Sequence, residues 1–288
     1  MEGYLWISPW LLGMFFFTLG PLVFSFAMSF TQWDIVTTPI YRGLGNYTDL
    51  FTKDLLFGTA LLNTAYYAIV SVPLRVGLAL SLALLLCQGL PGTKFFRTIY
   101  YLPSVTTAVA ISMVWAWIFD PNYGVMNGLL ELIGIKGPRW LGSPDWAMPS
   151  LILVSCMYIG QMMVVFIAGI NGIPRQLYEV AELDGAGRFA RFISITLPML
   201  SPSIFFNLVT SIIASFQVFA FAYIMTDGGP MNATMVYVLY LFKQAFLYMH
   251  MGFASAMAWV LFLITMVLTL VQLKFSGWVY YESGRAGI

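Results

Sequence analysis

Charge is what this sequence has least of. Asp, Glu, Lys and Arg make up 9% of its 288 residues while hydrophobic residues make up 60%. An ordinary soluble domain carries about 25% charge, so the chain is read as an integral membrane protein. A net charge of +1 leaves no electrostatic footprint for nucleic acid. The two cysteines, Cys87 and Cys156, each lie inside an apolar run, so no disulfide framework is expected. His250 is the one histidine, and neither H-E-x-x-H nor G-x-S-x-G occurs, so zinc and triad chemistry lack their groups and no metal ligands are predicted. No G-x-x-x-x-G-K-[ST] loop is present, because Gly89 to Lys94 has the wrong spacing; ATP hydrolysis is not expected from this chain alone. Acids are also missing from the apolar runs. That argues against an ion-coupled secondary transporter, one of two rival membrane classes; the other, a structural or assembly protein, would need no polar faces on the fourth and fifth runs.

What is there is apolar length. Six runs suffice to cross a hydrocarbon core that needs about 20 helical residues. They are placed near 4–30, 60–88, 100–119, 149–172, 203–226 and 253–276, giving a single all-α membrane domain. Only Met-Glu-Gly precedes the first run, with no basic segment or cleavage site, so it is read as a retained span. Basic residues set the orientation. Lys94, Arg97, Arg175, Arg188, Arg191, Lys274 and Arg285 fall on one side in short segments; Arg42, Lys53, Lys136, Arg139 and Lys243 fall on the other. The first side, with both termini and residues 173–202, is expected to be cytoplasmic.

The stretch 173–202 is the longest polar interruption of helical character. Glu179, Glu182 and Asp184 balance Arg175, Arg188 and Arg191. Pro174 suits a helix start, Gly185 and Gly187 interrupt the run, and Pro198 and Pro202 close it. Two short amphipathic helices joined at a glycine elbow are predicted. Such helices commonly lie on lipid headgroups, but the balanced charge and the elbow favour a surface held by another protein.

Here the sequence resembles a known family. Glu179-Val-Ala-Glu-Leu-Asp-Gly-Ala-Gly187, followed by Phe192, Ile195, Leu197 and Pro198, is similar to the "EAA" loop of ATP-binding-cassette (ABC) importer permeases, in the carbohydrate group of the maltose and glycerol-3-phosphate type. Gly43-Leu-Gly-Asn-Tyr47, Gly228-Gly-Pro230 and Gly252-Phe-Ala-Ser-Ala256 fall at that family's places; Val180 stands where the family has alanine. The resemblance implies a six-helix permease whose loop docks into a cytoplasmic ATPase through Tyr178, Glu179, Ala181, Asp184, Gly185, Ala186, Phe192 and Pro198. Glu179 and Asp184 are the candidates for holding the loop. It further implies a homologous second permease, two ATPase subunits that keep ATP and Mg to themselves, an extracytoplasmic solute-binding protein, and a bacterial inner membrane.

The spans carry polar residues with two readings. Met157, Tyr158 and Gln161 in the fourth and Asn207, Ser211 and Ser215 in the fifth are either interhelical packing contacts or a sugar site; all but Asn207 fall where the maltose permease meets sugar. Ser211 and Ser215 are four apart, so they share a face with Asn207. Arg75 stands alone in the second span, either bonded to backbone carbonyls, or snorkelled, or facing the pathway. In the pathway it favours an anionic solute, and a glycerol-3-phosphate or other anionic polyol permease is the alternative to a neutral-sugar one. Residues 234–251 are expected as a short external helix near a binding protein, with Tyr240, Phe242 and Phe246 alternatively in the core.

Overall fold

The computed structural model describes residues 2–89 and 91–280; Arg285, used above for orientation, lies outside them. Four helices are long and apolar enough to cross a membrane by themselves: Trp6–Met28, Leu55–Leu86, Pro144–Gly172 and Met251–Trp278. Two helix pairs are bent at short breaks, Thr93–Val105 with Ala108–Ile118 at 101° and Arg188–Met199 with Ser201–Phe216 at 62°. Counting each bent pair as one pass gives six. The only strands among the described residues are Thr31–Gln32 and Ile40–Tyr41, an antiparallel pair that closes the first loop. The fold is all-α.

Local chemistry moves several ends. The second pass begins at Leu55, ahead of the expected 60, because Asp54 Oδ1 accepts the Leu56 and Phe57 amides at 3.0 Å each, a side-chain N-cap. The third pass, expected as one run over 100–119, starts at Thr93 and breaks at Thr106 and Thr107, which are extended. Pro103 contributes no N–H to the ladder, and the β-branched run Val105-Thr106-Thr107 is poor in helix. The fifth, expected over 203–226, ends at Phe216, and a separate short helix Ala220–Met225 follows.

Packing forms two cores. One gathers Leu50, Phe57, Tyr67, Phe119, Leu151 and Tyr237; the other gathers Val72, Val76, Ala83, Met163 and Phe166 along the second and fourth passes. The stretch 234–251 belongs largely to the first core rather than to an outer surface. Tyr237 is fully buried and its hydroxyl donates to Met257 O at 2.8 Å, while its amide donates to Thr64 Oγ1 at 2.8 Å. Tyr240 is buried and donates to Asp54 Oδ2 at 2.5 Å; Phe242 is half-buried between Phe219 and Tyr223, and Phe246 is exposed. Outside the bundle, Asp49 pairs with Arg42 at 2.6 Å and Lys53 at 2.7 Å. The Lys53 hydrogen bond above all holds its carboxyl below the usual carboxylate range.

Candidate translocation cavity and docking loop

The breaks in the passes meet one another. The fourth pass leaves α-geometry at Cys156–Ile159, where Tyr158 has φ −89° and ψ 32°. The Tyr158 hydroxyl donates to Thr106 O, at the elbow of the third pass, at 3.4 Å. Gly160 makes this contact possible: an added Cβ would stand 2.6 Å from both Ser104 Oγ and Tyr100 O. Irregular backbone is tolerated at membrane depth where it is buried in protein or lines a cavity, and a cavity of about 770 Å³ opens here. Its walls come from the second to fifth passes and the segment after the fifth.

Of the seven residues expected to face the solute, five line this cavity: Arg75, Tyr158, Gln161, Asn207 and Ser211. Ser215 stands behind them, accepting Arg75 Nη2 at 2.7 Å and donating to Ser211 O at 2.7 Å. Met157 does not line it; its sulfur accepts the Trp115 indole N–H at 2.9 Å. Asn207, Ser211 and Ser215 are all buried on the shared face that their spacing required. Tyr67, Ser104, Phe219 and Phe221 also line the cavity and were not singled out from sequence. Ser104 follows Pro103, so the helix-breaking signal pointed at it. Phe219 and Phe221 were hidden by reading 203–226 as one unbroken helix.

The stretch 173–202 folds as two helices around an elbow. Arg175–Leu183 ends at Asp184, and Gly185 takes φ +76°. The Ala186 amide donates to Ala181 O at 2.8 Å and the Gly185 amide to Glu182 O at 3.0 Å, the paired bonds of a Schellman C-cap. Pro174 caps this helix with extended ψ rather than entering it. Two contacts clasp the helices together: Glu182 Oε2 with Arg191 Nη1 at 3.0 Å, and Tyr178 Oη with Thr196 Oγ1 at 2.9 Å. The clasp therefore uses Glu182 and Tyr178, while Glu179 and Asp184 are exposed without an ion pair among the described residues. Ala181, Ala186 and Phe192 are half-buried and Pro198 is exposed. Leu177, Val180, Leu183 and Phe189 are all exposed, an apolar ridge on a charged loop.

Comparison with known proteins agrees with this architecture. The family described as "Binding-protein-dependent transport system inner membrane component" matches residues 75–278. The probable ABC transporter permease protein YesP of Bacillus subtilis is 44% identical over 98% of this chain and 93% of its own length. The lactose transport system permease protein LacF of Rhizobium radiobacter is 33% identical over 94% and 93%. A crystal structure of a bacterial ABC transporter involved in the import of the acidic polysaccharide alginate superposes with a TM-score of 0.84, covering 95% of this chain and 94% of that one at 24% identity. The family match over residues 75–278, the identity to these relatives over nearly the whole chain and the shared fold agree: the chain belongs to the binding-protein-dependent inner membrane components and is a permease subunit of an ABC importer.

Proposed function

We propose that this permease forms half of the translocation pathway of a carbohydrate importer and is driven through residues 173–202. The observation that carries the reading is the cavity at the helix breaks. It combines hydroxyls (Ser104, Ser155, Thr210, Ser211), amides (Gln161, Asn207, Gln217) and aromatic faces (Tyr158, Phe219, Phe221). Apolar walls with a few converging polar groups characterise small-molecule sites, and a hydroxyl-rich solute matches this set. The lactose transport role of one relative and the alginate import of the fold neighbour support a saccharide.

In this reading Leu177, Val180, Leu183 and Phe189 enter a cleft on a cytoplasmic ATPase, and Glu179 and Asp184 meet charges there. A homologous second permease, two ATPase subunits holding ATP and Mg, and an extracytoplasmic solute-binding protein complete the importer. Both termini and the loop then face the cytoplasm of a bacterial cell, a placement supported by the excess of basic residues in the short connections. ATP and the loaded binding protein must each favour the outward-facing state, because a ligand shifts an equilibrium only through differential affinity.

The test is ATP hydrolysis by the reconstituted complex with its binding protein across neutral and anionic saccharides. Stimulation by one saccharide is the expected result. Association of the ATPase without stimulation by any saccharide removes the carbohydrate reading and keeps the docking loop. Failure of any ATPase to associate overturns the role given to residues 173–202.

A further inference from the structure

Arg75 is 8% exposed and lies roughly 16 Å along the helix axis from Leu86, well inside the second pass. Its guanidinium is permanently charged and carries five donors. Nη2 alone finds protein acceptors, Ser215 Oγ at 2.7 Å and Ser211 O at 3.5 Å. Nε is buried without a partner, and Arg75 has no carboxylate partner among the described residues. No Asp or Glu lines the cavity.

Two other cavity residues repeat the pattern. Asn207 Nδ2 and Ser104 Oγ are buried and unpartnered. Asn207 Nδ2 is donor-only, like every nitrogen of Arg75. The cavity thus holds one full positive charge without a counter-charge, and leaves Arg75 Nε and Asn207 Nδ2 without an acceptor. A buried donor without an acceptor is costly, and an uncompensated buried charge more so. Tying the second pass to the fifth does not require that charge, since a glutamine amide also donates to a serine hydroxyl.

We infer that the cavity selects an anionic saccharide, whose oxyanion is received by Arg75 with Asn207 and Ser104 beside it. This rests on the carbohydrate reading above. The guanidinium fork fits a carboxylate, sulfonate or phosphate bidentately, and the ring hydroxyls fall to Gln161, Ser211 and Tyr158. Ser215 is a positioning residue that holds Nη2 and turns the rest of the fork toward the solute.

The test compares matched oligosaccharides that differ only in charge, such as digalacturonate and galactobiose, together with sugar sulfonates and phosphates. Each is supplied with the binding protein to the reconstituted wild-type, Arg75→Gln and Arg75→Lys complexes. The wild type is expected to respond to charged members at least tenfold more strongly than to neutral counterparts. Arg75→Gln should lose that preference; Arg75→Lys should keep its sign with several-fold weaker apparent affinity, because a point charge replaces the fork. Co-purification with the ATPase reports that each variant is assembled, and if Arg75→Gln fails to assemble, the wild-type and lysine arms still decide. Stimulation by neutral saccharides alone overturns the inference and leaves the carbohydrate reading standing. A charge preference that survives Arg75→Gln also overturns it, since the binding protein then supplies the selection. A complex deaf to every saccharide defeats the carbohydrate reading itself, and this inference with it.

Discussion

At Gly252 the chain passes against its own backbone. A Cβ there would stand 1.9 Å from Thr31 O, and the Gly252 amide donates to Trp33 O at 3.1 Å. The glycine therefore lets the first loop sit directly on the start of the sixth pass. Gly252→Ala forces two backbones apart, and overpacking of this kind costs about 1–3 kcal/mol. A lower thermal midpoint, read by tryptophan fluorescence in detergent, is expected; an unchanged midpoint would mean the loop shifts freely. The sequence marked this residue as part of a recurring motif without saying why. Asn46 is similar: its amide donates to Ser29 O and Thr31 O at 2.8 Å each. Both reasons are contacts between segments distant in the chain, which local patterning does not encode. Asp54, by contrast, was legible in principle, since an acid just before an apolar run is a cap signal, yet the second pass was started five residues late.

Among the elements, the loop 173–202 was the most readable. Charge, proline and glycine placement alone yields two helices and an elbow, because helix stops are local chemistry. The clasp was less readable: the sequence points to Glu179 and Asp184 as the acids that hold the loop, whereas the fold brings Arg191 to Glu182. The Glu182 side chain is largely exposed, and exposed pairs contribute about 0–1 kcal/mol, so the clasp shapes the loop more than it stabilises the molecule. Gly185 is different. No atom lies within 4 Å of an added Cβ, but its φ is +76°, and a left-handed residue with a side chain costs roughly 1–2 kcal/mol. Gly185→Val is expected to insert at wild-type levels while the elbow reorients and uptake uncouples from ATP hydrolysis. Uptake and hydrolysis assayed on the same vesicles decide it: wild-type uptake by the variant removes Gly185 from the coupling role.

For the whole molecule, six passes were legible because hydropathy is a property of composition, whereas the gathering of their breaks into a cavity was not. Pro103 and the β-branched residues after it mark the break in the third pass locally. The meetings that gather the breaks into one cavity, Tyr158 with Thr106 and Gly160 with Tyr100 and Ser104, lie between passes, and no single run carries them. The orientation remains an argument from charge, and two residues are placed to test it. Val36 lies in the first loop and Leu183 at the elbow of the docking loop, and both are 89% exposed, so accessibility does not separate them. With the bent pair Thr93–Val105 and Ala108–Ile118 counted as one pass, an odd number of passes, the second to the fourth, lies between them, and they are expected on opposite sides of the membrane. The short basic connections assign Leu183 to the cytoplasm. Cys87 and Cys156 are half-buried and provide a low background for a bulky, membrane-impermeant maleimide. Val36→Cys is therefore expected to label in intact spheroplasts and Leu183→Cys only in inverted vesicles that carry the permease without its ATPase. The reverse pattern inverts the molecule and puts the loop out of reach of any cytoplasmic ATPase. Labelling of both from one side overturns the pass count between them, which means that a bent pair such as Thr93–Val105 with Ala108–Ile118 turns back instead of crossing.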